Sequence, residues 1–179
     1  MSASALIRWG AVGLMLGGVV WVVLGLSALV GYLQAIPSRE DVVLFVAAHL
    51  LSVAGLVGLH ALQKDSYGLL GRAGFYLALA AMAARAFGAV VFLAGSSALE
   101  WISFPATLSM LVGFVLYGVA TLRARVLPRW YGVALIVSLP ISLPLAVYGT
   151  VLFGLFLVAL GCVLWMRRDA TTEQASRVS

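Results

Sequence analysis

From Trp130 to Met166 the chain runs for 37 residues without one charged side chain. No soluble helix or strand arrangement can hide such a stretch together with the others around it. Trp9 to Tyr32, Val42 to Leu62, Ala73 to Gly95 and Ser103 to Leu122 are nearly as apolar. A membrane-spanning helix needs about 20 mainly apolar residues, because ~30 Å of hydrocarbon is crossed at 1.5 Å per residue. The whole chain is 64% hydrophobic and 9% charged, with mean hydropathy +1.13, against about 25% charged in an ordinary soluble domain. The polar exterior of a water-soluble fold is missing, so lipid must solvate the outward faces.

The 37-residue stretch would be about 55 Å long as one helix and must turn once. Tyr148, Gly149 and Thr150 are the expected corner, giving a fifth helix over 130–147 and a sixth over 150–166. The expected fold class is therefore all-α, a polytopic bundle of six transmembrane helices over 9–32, 42–62, 73–95, 103–122, 130–147 and 150–166. Residues 1–168 form its single domain. The polar tail 169–179, DATTEQASRVS, reads as disordered and cytoplasmic. If the count fails, the fifth segment is the one expected to re-enter rather than span.

Orientation follows from the basic residues, which concentrate in cytoplasmic loops. With both termini inside, Arg8, Lys64, Arg72, Arg123, Arg125, Arg129, Arg167, Arg168 and Arg177 all fall on the cytoplasmic side. The outer loops hold Arg39 alone, set against Glu40, Asp41 and Glu100. The same scattering in ones, twos and threes explains the net charge of +5 without nucleic acid. Trp9, Trp130, Tyr131 and Trp165 mark inner ends, and Tyr32, Trp101 and Tyr148 outer ends, as interfacial aromatics do; Trp21 falls mid-span and reads as a packing residue. The expected localisation is the cell membrane, with lipids as the immediate partners.

Several chemistries lack their parts. The run from Trp9 to Tyr32 is too long for a signal-peptide core of 7–15 residues. One cysteine, Cys162, supports neither a disulfide framework nor a thiolate metal site. No acidic residue lies within a span, and no HExxH, GxSxG, Walker A or dinucleotide fingerprint occurs. Catalysis is not expected, and no metal or cofactor is assigned.

Helices in lipid associate through small residues that permit close approach. Gly71, Gly74, Ala78, Ala81, Arg85 and Gly88 recur at helical spacing on one face of the third helix. Gly13 and Gly17, Ser27 and Gly31, and Ala54 and Gly58 repeat the pattern on the first two. The loop segments GLHALQKDSYGLLGRAGF and GVATLRARVLPRWYGV echo one another, as convergent cytoplasmic turns do.

Arg85 is the one formal charge inside any span, about 18 Å from the inner end and about 15 Å from the outer. Burying a guanidinium there costs at least ~2.5–3.5 kcal/mol, so it should face protein, where its five donors need acceptors. His49, on the second helix, falls within about 5 Å of its depth. Ser52, Thr107 and Ser109 lie at similar levels and complete either a hydrogen-bonded cluster that locks the bundle or a candidate ligand-binding pocket. The motif SLPISLP places Pro140 and Pro144 four residues apart, which frees the carbonyls of Ile136 and Pro140 and calls for a kink, with Ser138 and Ser142 able to cap loose carbonyls. His49 and His60, eleven residues apart, would lie about 16.5 Å apart on one face, a spacing that suits two haems. Each haem would then need a second ligand from another helix, and with no third histidine in the chain that leaves methionines such as Met15 or Met82.

At LPRWYG, HLLSVAGLVGLHAL and GRAGFYLAL the chain resembles small uncharacterised multi-pass membrane proteins of bacteria and archaea. That resemblance implies the same six-helix topology and carries no activity or site. Three functions are open at this point. One is a non-catalytic membrane component acting through helix packing, with another membrane protein or a second copy as partner, which calls for a lipid-facing groove of small residues. The second is a small transporter or ligand-binding module, which calls for a cavity reaching Arg85. The third is a haem or quinone protein.

Overall fold

The computed structural model describes residues 3–30 and 38–176. Six α-helices make up the described residues, and no strand occurs among them: α1 (Ala3–Val30), α2 (Arg39–Gln63), α3 (Gly68–Leu93), α4 (Ser103–Ala124), α5 (Arg129–Ser142) and α6 (Ala146–Ser176). A 3-10 turn, Glu100–Ile102, leads into α4. Five helices are long and apolar enough to cross a membrane; the sixth, α5, has 14 residues and spans only about 21 Å. The surface fits this reading, because every helix turns large apolar side chains outward: Leu16 and Val23, Leu50, Phe87, Val112, Val137 and Leu155 are all exposed.

The helices form a closed ring in chain order, α1 packing against both α2 and α6. Neighbours run antiparallel. Gly10 faces Gly58 and Gly17 faces Ser52 across α1 and α2, while Gly18 faces Gly154 across α1 and α6. Gly74 lies on the backbone of Tyr117, Gly113 on Ala78, and Gly118 on Gly132. Consequently the start of α1 and the end of α6 lie at one end of the bundle, here called the basic end, where Arg8, Lys64, Arg72, Arg123, Arg125 and Arg129 also lie. Apolar burial gives little drive in lipid, so contact through these glycines is the expected adhesive. At the Gly10–Gly58 crossing an added Cβ would sit within about 2.5 Å of the opposing Cα, leaving hydrogen as the largest tolerable side chain. Gly31 lies outside the described residues. The interior is filled by Phe114, Tyr117, Tyr131, Leu56, Leu59 and Met82, all nearly or fully buried.

Several helix boundaries differ from the sequence expectation, α1 starting at Ala3 and α3 at Gly68 among them, and three of the differences have a local cause. α2 starts at Arg39, not Val42, because Ser38 caps it: the Asp41 amide donates to Ser38 Oγ at 3.1 Å, and the Ser38 amide donates to Asp41 Oδ2 at 3.1 Å. This reciprocal pair satisfies two otherwise orphaned donors. Removing it by Ser38→Ala is expected to lower stability by about 1 kcal/mol, read as a lower unfolding midpoint of the detergent-purified protein; an unchanged midpoint would contradict the capping role.

The corner between α5 and α6 falls at 143–145, not at Tyr148–Thr150, so the expected fifth helix over 130–147 ends at Ser142. Pro144 has no N–H to give the Pro140 carbonyl, so the ladder stops one residue earlier, with the Leu143 amide still reaching Leu139 O at 3.0 Å. Gly149 is instead a contact glycine inside α6, and its Cβ position would lie 1.8 Å from Ser142 O. Finally, α6 is helical to Ser176, across most of the segment expected to be a disordered tail. No Gly or Pro interrupts the stretch, and Ala170, Glu173, Gln174 and Ala175 favour helix there.

Candidate functional site

Arg85 projects from α3 toward the end of the bundle opposite the basic end. Its Nη1 donates to Thr107 Oγ1 on α4, and Thr107 in turn donates to Ser103 O at 2.7 Å, one turn back along α4. The guanidinium carbon sits 5.2 Å from the centre of the Phe45 ring on α2, a cation–π distance. Nε is buried without a partner. Among the described residues no carboxylate pairs with this cation, and one neutral hydroxyl is its only hydrogen-bond acceptor.

Two cavities meet at Arg85. The larger, about 410 Å³, lies among α1 to α4 and is lined by Leu24, Asp41, Val42, Phe45, Gly88, Ala89, Phe92, Ser96, Leu99 and Ser103 as well as Arg85. The smaller, about 190 Å³, lies above the short α5, with Trp21, Thr107, Ser142, Leu143, Thr150 and Phe153 in its walls. α5 ends before filling the bundle, and its missing last turn helps leave that space. Asp41 stands at the outer wall of the larger cavity. It is already held: Oδ1 accepts from Ser27 Oγ at 3.1 Å, and Oδ2 from the amide and hydroxyl of Ser38 at 3.1 and 2.9 Å.

The sequence-selected residues separate into two groups. Arg85 and Thr107 meet. His49 and Ser52 belong to a second, dry cluster behind Phe45. His49 is fully buried, its Nδ1–H donates to Phe45 O at 2.9 Å, and its Nε2 is unpartnered. Trp21 closes this cluster, edge-on to His49 at 5.0 Å and donating from Nε1 to Ser52 Oγ at 3.3 Å, while Ser52 donates to Ala48 O at 2.7 Å. Phe45 contacts both groups, its ring 4.2 Å from the His49 ring and 5.2 Å from the guanidinium carbon of Arg85. Ser109 stands roughly 200° round α4 from Thr107 and lines neither cavity.

Pro140 is inside α5 without ending it. Ser138 and Ser142 donate to the carbonyls of Leu135 and Ser138, at 3.3 and 2.5 Å, and not to those that the prolines free. Of the four residues assigned to the kink, Ser142 alone reaches a cavity wall.

Asp41, Phe45 and Gly88 were not selected from the sequence. Their signal was present: Asp41, Phe45, His49 and Ser52 follow one another at helical spacing on one face of α2, and Gly88 continues the small-residue stripe of α3 past Arg85.

A separate aromatic cluster occupies the basic end. His60 stacks on Phe75 at 4.0 Å and receives the Tyr67 hydroxyl. Burial pushes the Tyr67 phenol up to about 12, so it remains a proton donor to His60 at physiological pH. The two histidines therefore belong to different packed clusters, and among the described residues no three of His, Cys, Asp and Glu converge.

No protein-family model matches the chain, and neither the curated proteins nor the solved structures contain a match.

Proposed function

We propose that this chain is a non-catalytic, ligand-binding membrane protein of the small-transporter kind, whose site is the cavity above Arg85. The observation that carries this reading is the unpaired guanidinium at the meeting point of two cavities, with one donor engaged and Nε orphaned. A structural arginine is expected to find enough acceptors inside the bundle to use its donors, because leaving them dry is costly. One that faces open volume with donors to spare suits a ligand.

Action through helix contacts with a partner is less well supported. The closest glycines, from Gly10 on α1 to Gly161 on α6, are used in contacts between helices of this same chain, so the lipid-facing groove of small residues has little to be built from. A haem or quinone reading gains nothing from His49 or His60, since neither lines either cavity.

In this reading the bundle sits in the cell membrane with its basic end and both termini on the cytoplasmic side, as the arginine distribution favours. The larger cavity then opens toward the outer face, and α5 is a partial crossing beside five full ones.

Access tests the reading. Gly88→Cys, in a Cys162→Ala background, is expected to react with a small water-soluble thiosulfonate at least tenfold faster than Val19→Cys, which points outward from α1 and is 50% exposed. Equal rates would mean that no water reaches the cavity, and the reading would be withdrawn.

A further inference from the structure

We infer that the ligand is an amphiphile with a single negative charge, a carboxylate on an apolar chain, with its head on Arg85 and its tail along the α1–α2–α3 walls. The inference rests on the ligand-binding reading above and adds the ligand's chemistry.

The wall charges assign the polar end. Among the described residues, Arg85 and Asp41 are the two charged side chains that line the cavity, and they differ in what they have left to give. Asp41 accepts three hydrogen bonds from Ser27 and Ser38, which hold it in the cap of α2. It has little capacity for a ligand ammonium. Arg85 keeps Nε and most of its remaining N–H groups for an incoming acceptor, and a carboxylate matches the planar fork. The negative charge of Asp41 at the opposite wall also disfavours an anion there and directs it to the arginine.

Valence follows from the same inventory. One guanidinium neutralises one charge, and a dianion would leave the second uncompensated at low dielectric, which is costly. The remaining surface decides the body of the ligand. Ser96 and Ser103 apart, the remaining side chains, Leu24, Val42, Phe92 and Leu99 among them, offer no hydrogen bonds, so a polar body such as a sugar or nucleotide would find two hydroxyls in place of its hydration. About 410 Å³ is within the ordinary range for small-molecule pockets. Gly88 widens the floor: a Cβ there would meet nothing nearer than Leu99 O at 4.0 Å.

The head group has two sources, a free carboxylate in water or a fatty acid in the leaflet. Binding is measured by titration calorimetry on the full chain in an uncharged detergent, with octanoate for the aqueous source and palmitate for the lipid one. Octanol, octylamine and phenylalanine serve as the neutral, cationic and zwitterionic counterparts. Octanoate or palmitate is expected to bind at least tenfold more tightly than any counterpart, and whichever binds better identifies the source. Arg85→Gln is expected to weaken that binding at least tenfold. Gly88→Leu, which fills the cavity from open space, is expected to abolish it while the unfolding midpoint without ligand stays within a few degrees.

If octylamine or phenylalanine binds best and Gly88→Leu removes that binding, the anionic assignment is overturned and the cavity stands as a site. If no probe binds, or if Gly88→Leu leaves octanoate binding intact, the inference and the ligand-binding reading both fall.

Discussion

Gly58→Val is expected to prevent the bundle from assembling, leaving little or no monodisperse protein on size-exclusion chromatography in mild detergent. At this crossing α1 and α2 touch backbone to backbone. A Cβ on Gly58 would lie 2.5 Å from the Gly10 Cα and 3.0 Å from Leu6 O. Neither is the end of a flexible side chain, so the helices must separate along their length. Overpacking a well-filled core costs about 1–3 kcal/mol even where side chains can adjust; here they cannot, and the cost should exceed about 3 kcal/mol. Gly88→Val is the matched control, because the same side chain there enters open space. It should purify like the unaltered protein. A well-behaved Gly58→Val protein would mean that α1 and α2 do not meet as described.

Arg85→Met is expected to raise the unfolding midpoint in detergent by several degrees. A structural arginine and a ligand-binding one predict opposite signs. If Arg85 held the bundle together, its loss would loosen α3 from α2 and α4. The geometry favours the other sign. The guanidinium bears an insertion cost of at least ~2.5–3.5 kcal/mol, and in return it makes one hydrogen bond and one cation–π contact, the latter about 0.5–2 kcal/mol. Thr107 does not become an orphan when the arginine goes, because its hydroxyl still donates to Ser103 O. Methionine keeps the apolar contact with Phe45 and has no dry donors. The expected net gain is about 1 kcal/mol, with anion binding lost in the same variant. A fall in the midpoint of similar size would make Arg85 a structural residue and remove the support for a ligand.

The apolar spans were legible in the sequence because composition alone dictates them: no arrangement in water accommodates segments such as Val42 to Leu62. Helix ends were less so. Ser38, Arg39, Glu40 and Asp41 are polar and predict a loop, yet the Ser38–Asp41 capping pair makes Ser38 the N-cap and the other three the first turn of α2. Gly149 was read as a breaker, although its absent side chain serves a close crossing with Ser142. Pro144 held the information about the corner.

For the site, counting residues gave depth and not direction. His49 and Arg85 fall at comparable levels, as the rise per residue indicates, but His49 packs against Trp21 and Phe45, bonds to the Phe45 carbonyl and lines neither cavity. Depth alone points to Thr107 and Ser109 alike, and the face of α4 decides between them: Thr107 meets Arg85. Ser109 shares the depth and lies on the wrong face.

The brevity of α5 reaches beyond the protein itself. In the membrane placement proposed above, a hydrocarbon layer of ~30 Å does not match a rod of about 21 Å, so acyl chains along that flank would tilt or shorten, dimpling the bilayer beside Val137 and Ile141, which are both exposed. Such mismatch costs a fraction of a kcal/mol per Å. The molecule thus carries a one-sided preference for thin or short-chained surroundings, and the dent it makes lies against the flank of the bundle that holds the smaller cavity.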